Sequence, residues 1–191
     1  MVSHAAWLEE ALETLGELLE TRAQRFEIVV IGGGSLLLMG VIQRPTKDLD
    51  VVALVVSGAI ARAEPWPEPL REAVADVAVA LKLDEQWLNP GPTSLVDCGL
   101  PSGFSERLTA RPFRNLVVHF ASRLDQVFFK FYAMVDQGPR SKHAQDLKKL
   151  APSSAELLEA ARWSRQQDSS EGFRSECVQA LRFFGVEVTD V

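Results

Sequence analysis

The sequence predicts an α/β protein in which helices flank a mixed sheet and a helical extension follows. Two apolar runs rich in β-branched residues, at residues 28–31 and 51–56, are typical of buried strands. Residues 3–24 carry apolar side chains at the 3.6-residue period of an amphipathic helix. We therefore expect a core domain over residues 1–150 and a C-terminal helical extension over residues 151–191.

The first predicted strand opens the segment around which the chain is organised. It stops at three glycines, Gly32 to Gly34, which predict a turn into a short helix at residues 36–39. A second strand begins at Asp48 and continues to Val56. Because only a turn and a short helix separate them, we expect the two strands to be neighbours in one sheet.

The remaining elements follow from the same kinds of pattern. Prolines make residues 57–69 loop-like, and residues 87–92 indicate a turn. Within that turn Asn89 could contact a substrate, but an asparagine before a proline is more often simply a turn residue. Strands are expected at residues 106–111 and 116–121. Helices are expected at residues 70–81, at 123–136, after the capping residue Ser141, after the capping box of Ser153 and Glu156, and from residues 168–171 to Gly185.

Asp48 and Asp50 mark the candidate site. Side chains alternate along a strand, so the two carboxylates point the same way, about 7 Å apart. They repel each other unless a cation or a proton lies between them. Beside a glycine turn that presents backbone N–H groups, they predict a site for a divalent metal and a phosphate.

Two well-known glycine motifs do not match the sequence. A dinucleotide-binding fingerprint needs a glycine where Leu37 stands, and the Gly-Lys-Ser/Thr sequence of a Walker A loop does not occur. A tight turn from strand to helix without any ligand remains the structural alternative.

Composition indicates an ordinary globular protein. Of its 191 residues, 47% are hydrophobic and 24% are charged. Acidic residues near the N-terminus, and the lack of an apolar run near the ~20 residues that span a bilayer, argue against secretion and a membrane. Cys98 and Cys177 are isolated, so we expect reduced thiols, packing roles and a cytoplasmic location.

Charge is unevenly distributed. The net charge of −6 disfavours tight non-specific binding of nucleic acid. Residues 101–151, however, hold 9 basic and 4 acidic side chains, including Lys130 and Lys142. This segment is either an edge facing phosphate or RNA, or a solvated helix face.

These residues resemble a known superfamily. A strand, Gly33-Gly34-Ser35, a short helix and then Arg44-x-Thr-x-Asp48-x-Asp50 is similar to the nucleotidyltransferases with the DNA polymerase β-like fold. The form of the motif is most similar to the bacterial branch of abortive-infection and toxin–antitoxin nucleotidyltransferases. Lys130 and the stretch at residues 142–147 also resemble that branch. The likeness spans residues 28–150.

The resemblance implies a metal-dependent nucleotidyltransferase, which transfers a nucleoside monophosphate from an NTP to an acceptor. It implies Mg²⁺ or Mn²⁺ on Asp48 and Asp50, a triphosphate contact by Lys130, and Asp146 ordering that lysine or the acceptor. The remaining nucleotide-binding candidates are Gly33, Gly34 and Ser35 at the β/γ-phosphates, with Arg44 and Lys47 assisting.

The implied partners include a tRNA end, another RNA or a protein as acceptor, and a cognate antitoxin or toxin. Enzymes of this fold usually have a third carboxylate on a later strand, where this sequence offers His119. A satisfied, partly buried histidine is the simpler interpretation there, and for His143 a surface polar pair with Asp146. A non-catalytic nucleotide-binding regulator or antitoxin-like partner, and a small-molecule nucleotidyltransferase, remain the alternatives.

Overall fold

Six strands form one mixed sheet within residues 5–191, the part of the chain that the computed structural model describes. They are β1 (Phe26–Ile31), β2 (Leu49–Val56), β3 (Ala59–Arg62), β4 (Leu88–Asn89), β5 (Thr109–Phe113) and β6 (Leu116–Phe120). The order across the sheet is β3, β2, β1, β6, β5, and the short strand β4 pairs with the first residues of β2.

Helices precede, connect and follow these strands. Two 3₁₀ turns, Gly91–Thr93 and Ser105–Arg107, lie in the connections. The α-helices are α1 (Ala6–Thr21), α2 (Gly32–Leu38), α3 (Glu68–Leu81), α4 (Ser94–Cys98), α5 (Arg123–Gln137), α6 (Lys142–Leu150), α7 (Ser154–Gln167) and α8 (Glu171–Phe183). The predicted N-terminal helical pattern begins at residue 3, and its first two residues lie outside the described residues.

The sheet confirms the predicted fold class. Strands β1 and β2 are antiparallel neighbours, as their short connection requires. Strand β6 pairs with the other edge of β1 and is parallel to it, so the sheet is mixed. Apolar side chains of β1 and β2 are fully buried, among them Ile28, Val30 and Val52.

Contacts divide the chain into two units. The first unit runs to Asp97 and includes Ser105–Ala121, so it holds the sheet with α1, α2 and α3. The second unit comprises Cys98–Phe104 and Ser122–Val191 and holds α5 to α8. The predicted division into a core and an extension at residue 150 stays a prediction.

The second unit is a helical cluster packed around α5, which contacts α6, α7 and α8. The indole ring of Trp163 lies edge-on to Phe128, Phe129 and Tyr132, with ring centroids 5.9, 5.6 and 6.0 Å away. Such arrangements add to the stabilisation that burial provides. Every one of these four helices begins at a serine whose side chain accepts a backbone N–H: Ser122, Ser141, Ser153 and Ser170.

The caps at Ser141 and Ser153 confirm those predicted, but the predictions for three connections were only partly right. Residues 57–69 are not all loop, because Ser57 and Gly58 both have positive φ, 52° and 80°, and close a hairpin between β2 and β3. The predicted turn at residues 87–92 includes a short strand, β4, because Leu88 and Asn89 pair with β2. The strand expected at residues 106–111 begins only at Thr109, after a 3₁₀ turn.

None of the helices described between residues 5 and 191 combines the length and apolar character needed to cross a membrane.

Candidate functional site

The two carboxylates lie where β2 begins. Asp48 precedes the strand and Asp50 is its second residue, and both are partly exposed. Asp50 is paired with Ile31, the last residue of β1, so it lies beside the start of α2. The hydroxyl of Thr46 donates to Asp48 Oδ1 at 3.2 Å and orients that carboxylate.

The three glycines form the first turn of α2 rather than a turn before it. A side chain at Gly34 would put its Cβ 2.5 Å from the backbone oxygen of Asp48 and 2.9 Å from Leu49 Cδ1. At Gly32, where φ is +79°, a Cβ would overlap Asp50 Oδ2. Glycine is therefore needed here for β2 and its carboxylates to approach α2, whatever ligand binds.

Arg44 is brought to the same glycines. A Cβ at Gly33 would lie 3.0 Å from Arg44 Nη2 and 3.5 Å from Thr46 Oγ1. The guanidinium thus covers the start of α2, within the segment that also carries Asp48. Lys47, by contrast, is exposed. Of the two basic candidates in this segment, the structure places Arg44 against the glycine turn.

Ser35 lies inside the protein. It is 0% exposed, and its hydroxyl is 3.8 Å from Met39 Sδ, one turn later in the chain. A phosphate contact by Ser35 would require its hydroxyl to become accessible. Gly33 and Gly34 are also buried in this structure.

The later motif forms a buried ion pair in the second unit. Lys130 Nζ in α5 lies 2.8 Å from Asp146 Oδ2 in α6, and their side chains are only 4% and 2% exposed. Helix α5 presents Lys130 to α6 although the apolar stripe alone placed it at the edge of the buried face. His143, on α6 one turn before Asp146, is partly exposed.

His119 does not take the place of a third acid beside β2. Its strand, β6, is separated from β2 by β1. His119 Nε2 lies 2.8 Å from Glu27 Oε2, and this contact holds the pKa of the Glu27 carboxyl below its usual value. The interpretation of a satisfied, partly buried histidine is therefore confirmed. At Asp50, β2 lies between β1 on one side and β4 on the other.

The donor set fits a divalent cation that keeps open coordination positions. Among residues 5–191, no three His, Cys, Asp or Glu side chains are grouped to hold a metal ion. Mg²⁺ commonly binds through one or two carboxylates together with substrate phosphates and waters. Asp48 and Asp50 match that pattern, and Thr46 supplies an orienting hydrogen bond to one of them.

Comparison with known proteins identifies the family. Residues 7–161 match the model of a family described as "Nucleotidyltransferase of unknown function (DUF6036)". The match includes the glycine turn, both carboxylates, Lys130 and Asp146. No curated protein and no solved structure gave a significant match. The chain therefore belongs to this family of nucleotidyltransferases.

Proposed function

We propose that the protein is a metal-dependent nucleotidyltransferase that transfers a nucleoside monophosphate from an NTP to an acceptor. The observation that carries the proposal is the convergence of Asp48, Asp50 and Arg44 on the glycine turn of the first unit. Two carboxylates and one guanidinium provide groups of both signs, as a complex of a cation and an anionic triphosphate requires.

Asp48 and Asp50 would hold Mg²⁺ or Mn²⁺. When bound, the cation supplies charge neutralisation for the α-phosphate and the departing pyrophosphate. Thr46 keeps Asp48 oriented, and the glycines at 32 and 34 let both acids stay close to the start of α2. The backbone pairing of β1 and β2 places Asp50 beside the last residue of β1, next to the start of α2.

Arg44 would bind the phosphates. A guanidinium can bind two phosphate oxygens with parallel hydrogen bonds, which gives direction as well as charge. Backbone N–H groups around Gly33 and Gly34, with Ser35 if its hydroxyl becomes accessible, would complete the contact. Lys47 would contribute charge from the surface.

Lys130 and Asp146 have roles that the resemblance supplies. Lys130 would contact the triphosphate, and Asp146 would hold the ammonium in place until then. The buried pair supports this ordering role, since a 2.8 Å contact fixes the lysine in one position. Buried ion pairs often stabilise a fold no better than apolar residues do. A functional reason for retaining this one is consistent with that general finding.

RNA is the acceptor class that the surface favours. Helix α6 exposes Lys142, Lys148 and Lys149, and Arg140 is exposed just before it. Clustered basic side chains attract a phosphate backbone. We therefore propose a tRNA end or another RNA as the acceptor, with a protein acceptor as the alternative. A toxin–antitoxin role with a cognate partner rests on the resemblance alone.

The experiment is incubation with each α-labelled NTP and Mg²⁺ or Mn²⁺, together with total tRNA, a protein mixture or buffer alone. We expect label on RNA, and none with Asp50→Asn. Label on protein would show that the acceptor is a protein and not RNA. NTP binding without transfer would favour the non-catalytic regulator, and label only on an added small molecule would favour the small-molecule enzyme. Absence of both NTP binding and transfer would refute the proposal.

A further inference from the structure

Strand β4 places one more polar side chain beside the carboxylates. In the parallel pairing of β2 with β4, Leu49 is opposite Leu88 and Asp50 is opposite Asn89. The backbone N–H of Leu49 also donates to the oxygen of Trp87 at 2.7 Å, which fixes this register. Neighbouring strands lie about 4.8 Å apart, so Asn89 is one strand spacing from Asp50.

The burial pattern shows that Asn89 and Asp50 share a face of the sheet. Leu49 and Leu88 are buried, at 0% and 3% exposure. Asp50 and Asn89, the next residues in each strand, are both partly exposed. Because successive side chains in a strand point to opposite faces, the two polar residues project together from the other side.

A local turn holds Asn89 without using all its hydrogen-bonding capacity. Its Oδ1 accepts from the backbone N–H of Gly91 at 3.1 Å, and its Nδ2 donates to the oxygen of Gln86 at 3.5 Å. A Cβ at Gly91 would lie 2.9 Å from that Oδ1, so glycine keeps the turn tight. An amide has two N–H donors and two acceptor positions, so one donor remains for a ligand.

We propose that Asn89 is a third side chain of the candidate site, which binds the phosphates of the nucleotide through its amide N–H beside Asp50. The inference rests on the proposed function and adds a residue to it. Two carboxylates already attract the cation, and a third acid here would repel the anionic phosphates. A neutral donor binds phosphate without adding to that repulsion.

Two substitutions test the inference: one removes the amide donor, and the other adds a charge beside Asp50. Asn89→Ser keeps a side-chain oxygen for the turn but removes the amide donor, and the serine O–H lies one bond nearer the backbone, short of the position of the amide N–H. Asn89→Asp also keeps that oxygen, and places a third carboxylate beside Asp50. Gln86→Glu is the matched control, because it adds the same charge from an exposed position in the same loop.

Calorimetry measures the affinity for Mn²⁺ alone and for inorganic tripolyphosphate at saturating Mn²⁺. These probes require no choice of nucleotide base. Asn89→Ser should weaken tripolyphosphate binding about fivefold, the effect of one hydrogen bond, and leave Mn²⁺ affinity unchanged. Asn89→Asp should tighten Mn²⁺ binding roughly threefold or more, since cation affinity rises with the charge of the ligand set. Gln86→Glu should change neither affinity by more than about twofold, because its charge is exposed to solvent outside the paired residues of β2 and β4 and is therefore screened.

The outcomes separate this inference from the function on which it rests. Wild-type tripolyphosphate affinity in Asn89→Ser, or wild-type Mn²⁺ affinity in Asn89→Asp, would overturn the role of Asn89 alone. An equal gain in Mn²⁺ affinity with Gln86→Glu would overturn it too, by showing an effect of general charge. If the wild-type protein binds neither probe, the metal-dependent function fails together with the role of Asn89.

Discussion

The aspartates of the two candidate motifs lie in opposite environments in the two units. In the first unit, Asp48 and Asp50 are partly exposed at the start of a strand, close to the glycine turn that Arg44 covers. In the second unit, Asp146 is nearly inaccessible and is paired with Lys130 at 2.8 Å. The same residue type is thus partly exposed to solvent in one unit and buried against a lysine in the other. Substitutions should therefore affect mainly ligand binding in the first unit and mainly stability in the second.

The largest effect is expected from breaking the buried pair. Asp146→Leu leaves the Lys130 ammonium buried without its carboxylate, and should lower the free energy of unfolding by about 3–5 kcal/mol. The double variant Lys130→Met, Asp146→Leu should recover most of that loss, because apolar residues can replace both charges. Urea denaturation of the three proteins measures this. Similar stability for the single and double variants would show that the pair is not electrostatically coupled.

Substitution of Arg44 in the first unit should change ligand binding and leave stability nearly unchanged. Arg44→Ala should weaken NTP binding about tenfold, or 1.4 kcal/mol, with little change in the unfolding midpoint. Arg44→Lys should restore only part of the affinity, because an ammonium cannot bind two oxygens in the planar geometry of a guanidinium. Lys47→Ala is the matched control and should have a smaller effect. If Lys47 matters more than Arg44, the phosphates do not bind against Gly33.

Acid should weaken a surface ion pair of the second unit, which Arg123 and Glu156 form. Arg123 donates to both carboxylate oxygens of Glu156, at 2.8 and 3.0 Å. This contact and, to a smaller extent, the hydrogen bonds of Ser153 lower the pKa of Glu156 from 4.5 to about 2. The stabilisation is therefore complete above pH 4.5 and is lost as the pH falls towards 2. Because the Arg123 side chain is 45% exposed, we expect only about 1 kcal/mol.

Glu156→Gln should remove this contribution to the pH dependence of unfolding between pH 4.5 and 2. Unfolding free energies at several pH values measure it. A wild-type pH profile in the variant would mean that Arg123 and Glu156 are not paired in solution.

The smallest expected effect concerns the two cysteines of the second unit, one at its surface and one in its interior. Cys98 is exposed, whereas burial raises the pKa of the Cys177 thiol to about 12. A thiol reagent at neutral pH should therefore label Cys98 in the native protein, and Cys177 only after unfolding. Thiol titration with and without denaturant checks this. Cys98→Ser should abolish the native reaction, and rapid labelling of that variant would contradict the buried position of Cys177.

The sequence revealed the features that depend on local patterns. Asp48 and Asp50 lie at the start of the predicted second strand, and Ser141 and Ser153 cap helices as predicted. The hairpin at Ser57 was missed, because serine rarely adopts the positive φ that this turn requires. The first turn of α2 was also misplaced, since a run of glycines indicates a turn better than a helix.

The missed features of the site depend on pairing between distant segments. Strand β4 has only two residues, too few for any periodicity, so Asn89 was interpreted first as a turn residue and only secondly as a substrate contact. Helical spacing alone places Lys130 at the edge of the buried stripe of α5, where Lys130→Met would be expected to change stability little. Its burial against Asp146 reverses that expectation, because the methionine would leave a buried carboxylate without its cation.

The most direct test of the central claim is the melting temperature of the wild type and of Asp48→Asn, each with and without Mn²⁺ and an NTP. If the two carboxylates share a cation with the nucleotide, the ligands should raise the wild-type melting temperature by mass action. Asp48→Asn should lose most of that rise, while the ligand-free variant should be as stable as the wild type or more so, because a carboxylate repulsion is removed. A full ligand-induced rise in Asp48→Asn would contradict the account and leave the carboxylates with a structural role only.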